Sequence, residues 1–408
     1  MQYYFLLLDL KKVLTNLRAK KVLMIKLLSS IPDQLRRVTS NGKFINEIDG
    51  LRFLAIIPVL IQHMAERFAR NSPIPFTTDL KEDFSLFLAY RGFLGVYIFF
   101  VISGFILALP FAAHYLNNQK KIHLKDYYWR RLTRLEPPYL IWMTIFFIIF
   151  LIVKQKSFVE YLPNYLANIT YTHTLIFNEW SIFNPPTWTL EIEIQFYILA
   201  PFIAWAFFYI KNLKLRWLVN TLALLSIILI QQYFKLYYNP YSFTILGHLQ
   251  YFLLGFFIAD IFLNFWQNGI KQTLNYDIIT FIAFICLIFG WSWDYELYSR
   301  LLVMVSLFFI FLGAFKGKIT NQFIKNRWVT AIGGMCYTIY LIHLPFAEFL
   351  IIFTKHIAFT NNFTINLLIQ LAIFLPIILI ISGICFLILE KPFMDKNWPE
   401  KFKLKFKK

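Results

Sequence analysis

An arginine and a histidine stand where an apolar helix would ordinarily carry neither. In the stretch EIDGLRFLAIIPVLIQHMAERF, Glu47 to Phe68, Arg52 lies at the mouth and His63 eleven positions further on. At helical spacing both side chains project from one face, about 16 Å apart along the axis. Ionisable groups inside an apolar bundle are costly and usually face a polar cavity. The spacing therefore predicts a groove with a cation at one end and an imidazole near mid-membrane. With an unperturbed pKa of about 6.5, such an imidazole can take a proton at neutral pH. A histidine that only bridges two helices by hydrogen bonding fits the same residues.

Three further stretches carry groups of the same kind. In YYWRRLTRLEPPY, Arg131 and Arg134 are i, i+3 neighbours, and planar guanidinium forks suit phosphate oxygens; ordinary positive-inside anchoring also accounts for their charge. In NPPTWTLEIEIQFYILAPF, Glu191 and Glu193 lie about 200° apart on a helix, so they cannot both face one cavity. Glu191 shares its face with Gln195 and is read as a solvated carboxylate at the helix start; Glu193 shares its face with Tyr197. In GVYIFFVISGFILALPF, Ser103 and Gly104 form a small-residue notch that lets another helix approach closely. CYTIYLIHLPF places His343 midway along its helix, near the depth of His63. Nothing in the sequence around His248 singles it out.

The elements that must position these residues follow from composition. The 408 residues are 59% hydrophobic, 20% aromatic and only 15% charged, more apolar surface than a soluble domain can bury. This predicts an all-α polytopic membrane protein. Ten spanning helices are expected, at about 51–66, 86–113, 138–153, 187–210, 217–234, 244–266, 278–293, 300–315, 329–354 and 365–389. The formal charge of +18 comes from lysines and arginines between the apolar runs and at the chain ends, a pattern of cytoplasmic loops at a lipid surface and not of a nucleic-acid binder. With ten helices the basic loops all fall on one side, and both termini are expected to be cytoplasmic. The segment 161–177, which carries Asn164, Asn168 and His173, is expected on the outer surface, since a further crossing would invert the charge pattern. Residues 1–44 read as a basic segment, either an amphipathic helix on an anionic leaflet or a tail, with no cleavable signal peptide expected. Residues 45–393 form one membrane domain, and 394–408 a Lys-rich tail. Cys286, Cys336 and Cys385 all fall in apolar runs, so no disulfide framework is expected.

Taken in order, DGLRFLAIIPVLIQH, GVYIFFVISGFI, the Arg131/Arg134 pair, TWTLEIEIQFY, FLLGFFIAD, YTIYLIHLPF and LEKPF resemble the acyltransferase-3 family of integral membrane O-acyltransferases, from about Ile45 to Phe393. The resemblance implies that His63 is the catalytic histidine and Arg52 its motif partner. It implies that Arg131 and Arg134 are the RxxR element and that Glu193 is the functional glutamate after the Trp-Ser-Leu signature. The chain departs from the family pattern with Tyr97 where many members have Asp, Thr189 for Ser, and Ile194 where many have a second Glu. No counterpart of the extracytoplasmic hydrolase-like domain fused to some relatives is expected here, and the final transfer is expected to fall to the membrane domain or to a separate extracytoplasmic partner.

The resemblance implies a reaction that uses both membrane faces. Acetyl-CoA or another acyl-CoA, a cosubstrate and not a resident cofactor, docks its phosphates on Arg52, Arg131 and Arg134 and brings its thioester to His63. The acceptor is a hydroxyl of a cell-surface glycan or lipid-linked sugar. His63 either removes the hydroxyl proton or carries the acyl group transiently, and Glu193 orients His63 or binds the acceptor. Ser103, Trp188, Tyr197 and His343 are expected to line the pocket, with no metal. The setting expected is the cell (inner) membrane. A glycan transporter or flippase would have the same build and polar midplane, but would not need arginines spaced for a phosphorylated donor.

Overall fold

The computed structural model describes residues 29–38, 44–72, 74–266, 269–395 and 398–400. These are helical, with α1 (Asn46–Asn71), α2 (Phe84–Ala89), α3 (Leu94–Asn117), α4 (Leu124–Lys154), α5 (Phe158–Ile169), α6 (His173–Phe177), α7 (Trp188–Phe208), α8 (Leu213–Phe234) and α9 (Ile245–Ile261) in the first part. They continue with α10 (Leu274–Gly290), α11 (Leu297–Lys316), α12 (Lys318–Ile324), α13 (Arg327–Gly334), α14 (Cys336–Thr354) and α15 (Phe363–Cys385). Among the described residues, nine helices are long and apolar enough to cross a membrane. The tenth expected span, α10, is apolar but has 17 residues, short of the ~20 that a bilayer core asks for. The chain is a multi-pass α-helical membrane protein. Most of the N-terminal basic segment and of the Lys-rich tail lies outside the described residues.

The structure corrects two sequence-based expectations. The single span expected at 329–354 is two helices, α13 and α14, broken at Met335. The segment expected on the outer surface is instead a re-entrant hairpin. Tyr161 packs on Phe150, Tyr165 on Phe147, and Tyr171 on Tyr139. The chain thus runs back beside α4 for eleven residues, about 16 Å, before Phe183 returns to the level of Phe147 and Phe150. A twelve-residue helix cannot span a bilayer, so the dip leaves the order of crossings unchanged. Several of its polar groups find partners inside the protein. His173 Nε2 pairs with Asn164 Oδ1 at 3.0 Å, and Tyr139 donates to the Asn168 carbonyl at 3.0 Å.

Helix α3 runs through the centre, packed against α1, α7 and α9. The expected notch is the reason that α3 and α9 can approach. A Cβ on Gly104 would lie 2.1 Å from the Phe252 carbonyl oxygen, and one on Gly255 2.3 Å from that of Val101. The two backbones therefore touch where neither helix has a side chain, the arrangement that drives helix association in lipid. The α8–α9 pair is tied by a buried fork: Arg216 donates from Nε and Nη2 to Asp260 at 2.9 Å each, and Trp217 Nε1 donates to the same carboxylate at 2.9 Å.

The two described ends of the chain meet at one end of the bundle. Lys391 Nζ donates to the Gln34 carbonyl, and the Val38 amide donates to Met394 Sδ at 3.4 Å. Arg36, Arg37, Arg52, Lys325, Arg327 and Lys391 all gather at this basic end.

Gly104→Val forces α3 and α9 apart against backbone atoms that cannot yield. Overpacking of this kind costs about 1–3 kcal/mol or more. The variant should yield much less monodisperse protein after detergent extraction than Ser103→Ala, which keeps the notch; equal yields would refute the close approach.

Candidate active site

His63 sits in α1 with Glu66 one turn further on the same face, and the structure pairs them: Nδ1 lies 3.1 Å from Glu66 Oε2. A carboxylate only accepts hydrogen bonds, so Nδ1 is the donor of this pair, and in the neutral imidazole Nε2 carries the lone pair. Glu66 is held in turn by Gln62, whose Nε2 donates to Oε1 at 2.8 Å, and by Arg67 Nη1 at 3.2 Å. Arg67 is anchored on its other side by Glu348 at 2.6 Å. The side chains of His63 and Glu66 are 24% and 23% exposed, so the imidazole can be reached. The sequence leaves Glu193 either to orient His63 or to bind the acceptor; the carboxylate in contact with His63 is Glu66, whose i+3 spacing is legible in the sequence.

His343 in α14 is brought beside it, with ring centroids 5.1 Å apart. It is fully buried, and its Nδ1 lies 2.8 Å from the Tyr340 carbonyl, where it can only donate. Nε2 therefore keeps its lone pair, and among the described residues that atom is buried without a hydrogen-bond partner. Sequence depth alone had matched the two histidines; the structure makes them neighbours.

A second group forms where α3, α4 and α7 meet. Glu193 Oε1 accepts from Ser103 Oγ and from the Tyr197 hydroxyl, the latter at 2.5 Å. The Arg131 guanidinium stacks over the Tyr127 ring at 3.6 Å and lies 5.6 Å from the Tyr197 ring. Arg131 thus abuts the face of α7 that carries Glu193, within α4 and not in the loop before it. Arg134 shares that helix, and its buried Nε has no hydrogen-bond partner among the described residues. Just beyond it, Pro137 lacks the N–H that would bond the Thr133 carbonyl; that carbonyl accepts from Trp398 Nε1 at 2.9 Å.

Arg52 is not a free cation. Its Nη1 lies 2.6 Å from Asp49 Oδ1, and Arg37 binds the same carboxylate at 2.8 Å. Arg52 also lies within electrostatic reach of Glu193, and Glu193 within reach of Tyr340, whose ring neighbours His343 at 5.6 Å. Arg52, Glu193, Tyr340, His343 and His63 thus form a series of polar groups, a polar seam joined by ring contacts at the histidine end and by electrostatic interaction at the arginine end.

Glu191 corrects its reading as solvated. It is fully buried, and Oε2 accepts from the Thr174 amide at 2.9 Å and the Thr174 hydroxyl at 2.7 Å. It clamps the re-entrant hairpin to α7. The Trp188 ring lies 5.6 Å from that of His248. His248 is buried among Phe100, Tyr97, Tyr251 and Trp188, and Tyr97 stacks on Tyr251 at 4.3 Å. His248 donates to the Ser242 carbonyl from Nε2 at 2.9 Å, and its buried Nδ1 has no partner among the described residues.

The bundle thus presents a reachable imidazole paired with a carboxylate, a candidate acid–base site. Residues 45–388 match the acyltransferase-3 family model, described as an acyltransferase domain, and the chain belongs to that family. It is 26% identical over 332 residues to the protein named O-acetyltransferase OatA of Staphylococcus aureus (strain NCTC 8325 / PS 47), covering 75% of this chain and 51% of the relative. The OatA of strain MRSA252 matches to the same extent. The chain spans about half the length of these relatives. No solved structure matches.

Glu193→Gln should lower acyl transfer at least about tenfold with little change in thermal stability, because an amide keeps the shape and loses the charge. Glu191→Ala should instead lose about 1–3 kcal/mol of stability by freeing Thr174, with activity per folded molecule near the parent's. Turnover and melting temperature measured on both variants check this, and the opposite pattern would exchange their roles.

Proposed function

We propose that this protein is a membrane-bound O-acyltransferase that moves an acyl group, most simply acetyl, from acyl-CoA to a hydroxyl of a cell-surface glycan or lipid-linked sugar. The observation that carries it is the His63–Glu66 pair: a reachable imidazole with one nitrogen tied to a carboxylate and the other free. Family membership and the name of the O-acetyltransferase relatives support the acyl group and the oxygen acceptor.

The bundle end that gathers Arg37, Arg52, Lys325, Arg327 and Lys391 is read as cytoplasmic, on the positive-inside rule, and the membrane as the cell (inner) membrane. Acyl-CoA enters there. Its phosphates meet Arg52, Arg131 and Arg134, and its thioester reaches the histidine pair along the polar seam. The sugar hydroxyl approaches from the opposite side. His63 Nε2 takes the hydroxyl proton as the oxygen attacks the thioester carbonyl carbon, and the resulting imidazolium is stabilised by Glu66. The tetrahedral intermediate expels the coenzyme A sulfur, which takes the proton from His63, giving the ester and the free thiol. His343, with its Nε2 lone pair unclaimed, is suited to accept a hydrogen bond from a neighbouring hydroxyl and so orient the sugar. Glu193, held by Ser103 and Tyr197, lines the donor's route. A separate extracytoplasmic partner passes the modified sugar onward where the final acceptor lies outside the membrane.

The test is transfer of labelled acetyl from acetyl-CoA in proteoliposomes, read as thioester loss and acetylated sugar. His63→Ala should fall by roughly 10²–10⁴-fold while expression and membrane insertion match the parent. Glu66→Gln should fall less, and chiefly in turnover, since an amide still holds the ring but cannot balance the imidazolium. Parent-like transfer by His63→Ala would remove the imidazole from the reaction.

A further inference from the structure

Arg37 lies before the family match, which begins at residue 45, yet it is built into the basic end of the polar seam. The segment that carries it is fixed from several sides. Leu35 is buried, and residues 35–37 pass so close to Gly334 that a Cβ there would meet the Arg37 amide nitrogen at 3.4 Å. Arg36 donates to Asn46 at 2.7 Å, and Lys391 donates to the Gln34 carbonyl. Arg37 then shares the Asp49 carboxylate with Arg52. Arg37 also lies within electrostatic reach of Arg134.

Three guanidiniums therefore converge on a spot that offers few anions. Asp49 serves two of them at once. Glu390, within reach of Arg52 and Arg134, is buried and accepts from the Thr338 amide at 3.1 Å and its hydroxyl at 2.5 Å, while Glu193, within reach of Arg52, accepts from Ser103 and Tyr197. Arg134 Nε is buried with no partner among the described residues. Burial, and after it the neighbouring charge of Arg52, pull the Arg37 pKa down to about 10, so the group stays cationic at neutral pH with a carboxylate partner, Asp49, that it shares with Arg52. Such a cluster fits a ligand bearing several phosphate oxygens.

We propose that Arg37 is a further donor-binding residue, which joins Arg52 and Arg134 in gripping the phosphate-bearing end of a coenzyme A thioester. This rests on the acyl-CoA reading above. In the free protein Asp49 holds Arg37 and Arg52 together; on binding, phosphate oxygens take over part of that hydrogen bonding. The grip then depends on a segment that the family match does not include.

The test uses the full chain in nanodiscs and measures dissociation constants for acetyl-CoA, 3′-dephospho-acetyl-CoA and S-acetylpantetheine, the last without the nucleotide phosphates. Arg37→Gln should weaken acetyl-CoA binding about tenfold and leave S-acetylpantetheine unchanged. Arg37→Lys, which keeps the charge and loses the fork, should fall between the two and serves in place of Arg37→Gln should that variant fail to fold. A parent that binds acetyl-CoA no better than S-acetylpantetheine would overturn the donor reading itself. A parent that discriminates, beside Arg37 variants that bind both compounds as the parent does or lose both equally, would overturn only the role of Arg37.

Discussion

A charge taken out of water needs a partner close at hand, and in lipid no solvent can supply one. That constraint orders the whole bundle. Arg216 is fastened to Asp260, Arg300 donates to Gln231 and Gln232, Glu191 accepts twice from Thr174, and Glu390 accepts twice from Thr338. Each of these joins segments far apart in the sequence, so the polar groups fix which helices neighbour one another. Against that background the atoms without partners stand out, among them His343 Nε2 and Arg134 Nε. They lie along the same seam as His63, Glu193 and Arg52, which is where a polar substrate would complete the hydrogen bonding.

The seam also needs close backbones and a broken helix. The contact between α3 and α9 at Gly104 and Gly255 holds α3 in place, so that Ser103 reaches Glu193 on α7. The break at Met335 lets α14 start afresh and carry Tyr340 and His343 toward α1. The hairpin packs its tyrosines along α4, and Glu191 secures it to α7. The catalytic reading thus rests on devices that are individually ordinary in membrane proteins.

Much of this was legible in the sequence, for physical reasons. Lipid demands long apolar runs, so nearly every span could be read from hydropathy, and the Ser103–Gly104 notch pointed correctly to a close helix contact. Three things were not legible. Whether 161–177 lay flat or dipped depends on stacking of Tyr165 and Tyr171 against α4, which no local pattern reveals. Glu191 looked like a carboxylate at a helix start because its partner, Thr174, sits 17 residues away in α6. Glu66 was within one turn of His63, but a glutamate near a helix end is commonplace until its hydrogen bond to the imidazole is seen. Asp49 was hidden in the same way: the sequence offered Arg52 as an isolated cation, while Arg37, its companion on that carboxylate, comes from outside the recognisable domain.

The central claim is that one polar seam joins the arginines of the basic end to the His63–Glu66 pair. An experimental structure of the full chain with a non-hydrolysable acetyl-CoA analogue tests it most directly. The account requires the nucleotide phosphates among Arg37, Arg52, Arg131 and Arg134, with the acyl carbon within about 4 Å of the His63 ring, close enough for a near-attack arrangement. An analogue bound with its phosphates at the opposite end of the bundle, or with its acyl carbon remote from both histidines, would contradict it.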